Sequence, residues 1–408
     1  MKKAILKKYA ALLVRSGIAV KKGQTVVIGA APEIEYFVAM VVEECYKAGA
    51  KNVIIDWRST ACSHIAMKKG KPAALAEVLP FQLERAKWES ETIPCRLYLA
   101  SEDPDGFAGI DPKKMAFVRK ERMKILYPYR LKTQNHEQWC IAGVPGAAWA
   151  KKIFPDLPKG KAIEKLWEAI LSTSRALDGN GIENWKAHDE DLKQRCAYLN
   201  SLRLKQLHYT SSNGTDLTVG LIPGVVFLGG GETTLEGDYI QPNIPSEECF
   251  TSPRRGEAEG IVYATKPLSY GGVLIKDFWV RFHEGKAVEV HAEQGQETLE
   301  SILSIDEGAA YLGECALVPF DSPINNTGLL FYETLFDENA ACHLALGTGF
   351  TNLYPNFEQY TDDQIHEFGI NKSMSHVDFM IGSEDLDITG VTEDGREVAI
   401  FRHGAWAF

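Results

Sequence analysis

The chain has 408 residues with a formal net charge of −11, and its 45% hydrophobic and 24% charged residues suit a soluble globular protein. That length exceeds one compact core, so two domains, or three, are expected. The negative balance argues against binding duplex nucleic acid or an anionic membrane surface, both of which need a basic face, and no apolar run reaches the ~18 residues of a membrane span.

The opening, MKKAILKKYAALLVRSG, has a basic start followed by apolar residues, superficially like a secretion signal. Lys7, Lys8 and Arg15 interrupt the apolar part and no small-residue cleavage site follows. Leu6, Tyr9 and Leu13 recur at helical spacing, which predicts an amphipathic helix near 3–16. Gln24–Ile28 reads as a short buried strand, and Ile34, Phe37, Val38, Val41, Val42 and Cys45 mark one apolar helix face that stops near Gly49. Asn52–Asp56 is the next strand, so a strand–helix–strand crossover and a parallel sheet are expected. Arg96–Ala100 and Trp139–Val144 are further strands, Ile163, Leu166, Trp167, Ile170 and Leu171 mark a helix, and a polar helix covers about 184–202.

From about 203 the texture changes. Short β-like runs dominate: Asp216–Leu221, Val225–Leu228, Gly260–Ala264, Gly272–Ile275, Phe278–Phe282 and Ala287–Ala292. Turn residues separate them, which predicts mixed antiparallel structure, interrupted by a helix at 296–303 and by the region around 329–346. The expected fold is therefore α/β: an N-terminal parallel-sheet domain over 1–200, and a C-terminal mixed α+β domain over 201–408 that is rich in antiparallel strands. Gly229–Gly231 lacks the lysine of a phosphate loop, and Gly143–Gly146 lacks a dinucleotide fingerprint, so both read as tight turns. The eight cysteines (45, 62, 95, 140, 196, 249, 315, 342) form no CxxC pair and read as reduced thiols of a cytoplasmic protein.

Acids and imidazoles in unusual local sequence stand out in the second half. In His376-Val-Asp378, a strand would point the imidazole and the carboxylate to one face. That pattern fits metal ligation, and equally a His–Asp hydrogen bond. Glu338 and His343 are five residues apart, about 140° around a helix, so a turn or helix end is expected between them. The acidic pair of NIPSEECFTSP lies between prolines, which fix the backbone and discourage strand pairing, and Glu248 is the favoured member. Glu314 is a lone acid inside LGECALVP, where burial without a cation, a cationic partner or a proton is costly. Cys249, Cys315 and Cys342 each adjoin one of these residues and read as small buried hydrophobes.

The order and wording of NIPSEECFTSP, GECALVP, FDENAACHLALG and SHVDFMIG strongly resemble the thermophilic aminopeptidase family, the M29 metallopeptidases. YAALLVRSGIAVKKGQTVVIGA, YKAGAKNVIIDW, WKAHDEDLKQRCAYLN, SNGTDLTVGL and FRHGAWAF extend the resemblance over nearly the whole chain. It implies a dinuclear centre holding two divalent ions, from Zn2+, Co2+, Mn2+ and Mg2+, with Glu248, Glu314, Glu338, His343, His376 and Asp378 as ligands. Glu338 is the residue that can instead carry a proton to the leaving amine. Peptide substrates and a homodimer are implied as well.

One position departs from the family pattern. Phe350 stands where relatives carry a tyrosine, and a phenyl ring cannot donate to a developing oxyanion. Tyr354 is nearby, either as a substitute donor with a catalytic role or as a packed aromatic. HExxH and GxSxG motifs are absent, which removes a single-zinc peptidase of that kind and a serine hydrolase. Two alternatives to the aminopeptidase remain: a non-catalytic metal-binding relative disabled at Phe350, and an amidohydrolase acting on non-peptide amides.

Overall fold

Val26, Val27 and Ile28 are consecutive apolar residues, a pattern suited to a strand covered on both faces. The computed structural model, which describes residues 1–408, places them in the strand Thr25–Ala30. That strand pairs in parallel with Asn52–Trp57 on one side and Cys95–Ala100 on the other. Trp139–Gly143 and then the two-residue strand Asn243–Ile244 complete a five-stranded parallel sheet. The helix Lys3–Leu12 runs into a π-helical turn at Leu13–Gly17. Tyr9 from this helix, Phe37 from Glu35–Lys47 and Trp167 from Lys159–Thr173 pack as an aromatic trio with centroids 5.3–6.0 Å apart. The Tyr9 hydroxyl donates to the carbonyl of Gly143, tying the first helix to a strand end. These elements form one compact unit, made of Met1–Asp189, Gly231–Ser246 and Leu330–Leu335.

The second unit comprises Glu190–Gly230, Glu247–Leu329 and Phe336–Phe408. Its larger sheet has nine strands, with Asp216–Leu221 between Leu204–Thr210 and Pro253–Tyr263. Its smaller sheet has four antiparallel strands in the order Cys249–Thr251, Leu312–Leu317, His343–Gly347, His376–Met380. A parallel α/β sheet and antiparallel sheets thus both occur, as the sequence texture predicts.

Three expected strands differ. Val225–Leu228 is not a strand: only Leu228 pairs, through an isolated bridge to Phe250, because the flanking Pro223-Gly224 and Gly229-Gly230 break any longer ladder. Gly272–Ile275 and Phe278–Phe282 belong to one strand, Val273–His283, whose ladder to Lys286–Gln294 continues past Lys276 and Asp277. Asp277 takes a positive φ of 48°, a conformation Asp tolerates better than most residues, so a kink occupies the place of the expected break.

Candidate metal centre

The register of the four-stranded sheet decides which side chains share a face. Glu314, Ala345 and Asp378 form one row across three strands, and Ala316, His343 and Met380 form another. Gly347 lies opposite His376. Residues two apart on a strand point the same way, so Glu314, His343, His376 and Asp378 all project from one face. Glu248 immediately precedes Cys249–Thr251 on the parity of Phe250, which pairs with Ala316, and so belongs to that face too. The opposite face carries Cys249, Cys315, Leu317, Leu344, Leu346, Val377 and Phe379, all buried in the unit's apolar core.

A β-bulge makes this alternation work. Leu312 pairs with Leu346 and Glu314 with Ala345, so Gly313 is an extra residue in its strand. In a regular strand Leu312 and Glu314 would share a face. With the bulge, Leu312 enters the apolar core while Glu314 turns to the acid- and imidazole-bearing side.

The donor atoms converge in two groups, Glu248/Glu314/His343 and Glu314/His376/Asp378, and within each group they lie within 4.8 Å of one another. Glu314 belongs to both. Nε2 of His376 is 3.1 Å from Oε2 of Glu314 and 3.1 Å from Oδ1 of Asp378, and Nε2 of His343 is 3.1 Å from Oε2 of Glu248. Such separations are what metal–ligand bonds of about 2.1 Å give at tetrahedral or octahedral angles.

Both imidazoles present Nε2 to the cluster and turn Nδ1 to a backbone carbonyl, that of Thr348 at 2.8 Å for His376 and that of Ala341 at 3.3 Å for His343. A proton held on Nδ1 leaves Nε2 as a lone-pair donor, the arrangement of a metal-binding histidine. The buried Nε2 of His343 makes no aligned hydrogen bond, although Glu248 is at ion-pair distance. The geometry is therefore that of two donors aimed at a common third point, and the residues fit divalent cations.

The electrostatics point the same way. Burial lowers the proton affinity of His343, but the nearby carboxylates of Glu248, Glu314 and Asp378 override it and lift its pKa to about 9. Burial likewise opposes the charged form of His376, and Asp378 and Glu314 raise its pKa well above the ordinary value. Burial raises the pKa of Glu314, with His376 opposing and Glu248 and Asp378 adding to it. Burial also acts to raise that of Asp378, but His376 and His343 outweigh it and hold the carboxyl at about 2. Three carboxylates gathered around two imidazoles attract positive charge, whether from protons or from metal ions.

Glu338 ends the short helix Thr334–Glu338, and His343 opens the following strand, so a break does lie between them. Glu338 is outside both donor groups; its carboxyl makes a hydrogen bond with Asp378 and sits half-buried at the edge of the cluster. Phe350 lies at the site, its ring centroid 5.2 Å from that of His376 and 5.2 Å from that of Phe250. The Tyr354 ring stacks on Phe368 and meets Tyr360 edge-on, beside a small cluster of Ile222, Ile365 and Ile370.

Cys249, Cys315 and Cys342 are buried. A hydrogen bond with Cys196 and burial hold Cys249 well above its usual pKa; burial raises Cys315 and lifts Cys342 to about 12. None is a thiolate at neutral pH.

Several positioning residues carry no obvious sequence signal. Asn339 is fully buried, accepts the backbone N–H of Glu247 at 2.8 Å, and so holds the loop that presents Glu248. Gly229 allows the backbone of Glu248 to approach: a Cβ there would meet its carbonyl oxygen at 2.4 Å. The glycine cluster thus marks a close backbone contact in addition to a turn.

A buried, carboxylate-rich pair of donor groups on an antiparallel sheet, in a chain that also holds a parallel α/β unit, defines a metallohydrolase-like architecture. The chain belongs to the thermophilic metalloprotease family M29, whose model matches residues 2–406. It is 41% identical over 405 residues to aminopeptidase 2 of Geobacillus stearothermophilus, covering 99% of this chain and 98% of the relative. It is 38% identical over 404 residues to aminopeptidase AmpS of Bacillus subtilis, covering 99% and 98%. The solved structure of wild-type AmpT from Thermus thermophilus superposes with a TM-score of 0.90 at 36% identity, over all of both chains.

Proposed function

We propose that this protein is a metal-dependent aminopeptidase that binds two divalent ions through Glu248, Glu314, His343, His376 and Asp378. The observation that carries the reading is the shared position of Glu314, whose carboxylate belongs to both donor groups. Divalent ions held by these residues would supply Lewis-acid chemistry, polarising a scissile carbonyl and acidifying a water.

The chain's own groups supply the rest. Nδ1–H bonds to backbone carbonyls hold both imidazoles in the donor orientation. Glu338, whose carboxyl donates a hydrogen bond to Asp378 and is only partly buried, carries a proton that it can pass to the leaving amine. A free peptide amine held at the centre would restrict cleavage to the first residue. The catalytic unit is the C-terminal one. Tyr354, engaged by Phe368 and Tyr360, serves packing in this reading. Cytoplasmic residence is supported by eight unpaired cysteines, and a homodimer is part of the proposal. No helix is long and apolar enough to cross a membrane.

Removing metal with a chelator should abolish turnover of aminoacyl chromogenic substrates, and adding back Zn2+, Co2+ or Mn2+ should restore it. Phe350 against His376 favours one competing reading, a metal-binding relative without catalysis. Stoichiometric metal with no turnover across a peptide panel would establish that reading instead.

A further inference from the structure

We propose that Gly313 is a positioning residue of the metal centre, acting on Glu314 through the bulge and on His376 through the carbonyl of Thr348. This inference rests on the two-ion reading above. Gly313 does not adopt a positive φ, so backbone conformation does not demand a glycine here. Space does. A Cβ at this position would lie 2.2 Å from the Thr348 oxygen, 2.5 Å from the Gly347 oxygen and 2.5 Å from the Thr348 carbonyl carbon. All three are backbone atoms, so no rotamer change can relieve the clash.

The crowded oxygen has a specific task. The carbonyl of Thr348 accepts the Nδ1–H of His376 at 2.8 Å. That bond fixes which imidazole nitrogen carries the proton and aims Nε2 at Glu314 and Asp378. The peptide that carries this carbonyl is anchored as well: its N–H, that of Gly349, donates to Asn371 O at 2.8 Å, and the preceding Thr348 N–H donates to Ser375 O at 2.7 Å. It has little freedom to retreat from a new methyl group. The missing side chain of Gly313 therefore serves two ligands at once: it permits the bulge that turns Glu314 to the cluster, and it leaves room for the carbonyl that orients His376.

The test is Gly313→Ala, read by Co2+ and Zn2+ titration of the metal-free protein and by 15N-histidine NMR of the zinc-loaded full chain. The expected result is a fall in metal affinity of about tenfold or more, and loss of the protected Nδ1–H resonance of His376 that the unaltered protein shows. Unchanged affinity with an unchanged Nδ1–H resonance would overturn the assignment while leaving the metal centre intact. If the unaltered protein takes up no divalent ion, the metal centre itself falls, and this inference with it. Should the alanine variant not fold, the unaltered zinc-loaded protein still decides the matter: coordination of His376 through Nδ1 would overturn the proposal, whereas Nε2 coordination with a slowly exchanging Nδ1–H supports it.

Discussion

The strand Thr25–Ala30 of the first unit and the strand Leu312–Leu317 of the second are both almost wholly buried, yet they bury different things. In the first, apolar residues fill both faces, as a parallel strand between layers requires. In the second, Leu312, Cys315 and Leu317 enter the apolar core while Glu314 and Ala316 turn to the donor cluster. Burial alone therefore does not identify a site. A carboxylate within a buried strand does, because leaving it uncompensated is far costlier than burying a methyl group.

That contrast can be broken most directly by substitution. Glu314→Ala or His376→Ala should lower metal content and cut turnover by at least about a hundredfold, as loss of charge-stabilising groups does, with circular dichroism unchanged. Val27→Ala in the other strand should do the reverse, lowering stability by about 2 kcal/mol while metal content stays intact. Full metal occupancy in both ligand variants would contradict the assignment.

A smaller effect is expected at the rim of the cluster. Phe350→Tyr should raise turnover, by up to about a hundredfold if the phenol becomes an oxyanion donor. Steady-state kinetics would measure this; no gain would mean that the donor is another group, and Tyr354→Phe would then be the variant to compare.

A further effect concerns pH. In chelated protein, His343 has a folded pKa of about 9 against an unfolded value near 6.5. A raised folded pKa stabilises fully below the unfolded value, and that contribution is lost as pH rises toward 9. The melting temperature of chelated protein should therefore fall between pH 6.5 and 9. Metal-loaded protein, with its imidazoles already deprotonated, should show a much flatter profile. Equal slopes by calorimetry would argue against ligation through these histidines.

Much of the first unit was legible in the sequence, because helical spacing from Ile34 to Cys45 and the apolar run at Val26–Ile28 act locally. The short strand Asn243–Ile244 was not legible: it joins the parallel sheet about a hundred residues after its neighbour Trp139–Gly143, and two residues carry no periodicity. The alternation in His376-Val-Asp378 did predict a shared face, which the strand His376–Met380 provides. That Glu314 shares that face was not readable from spacing. It lies two residues from core-facing Leu312, and only the bulge at Gly313 separates their directions. Family wording drew Glu248, Glu314, Glu338, His343, His376 and Asp378 together where local pattern could not; all but Glu338 fall in the two donor groups, whose convergence depends on register across four strands.

Glu314, Ala345 and Asp378 stand in one row across three strands. Neighbouring strands are about 4.8 Å apart, so the two acids spring from backbones roughly 10 Å distant, with only a methyl group between them. In the two-ion proposal the small side chain of Ala345 matters: a branched side chain on the middle strand would stand between the two carboxylates. Small size at residue 345 is thus a requirement of that proposal, and metal content of an Ala345→Val variant would test it.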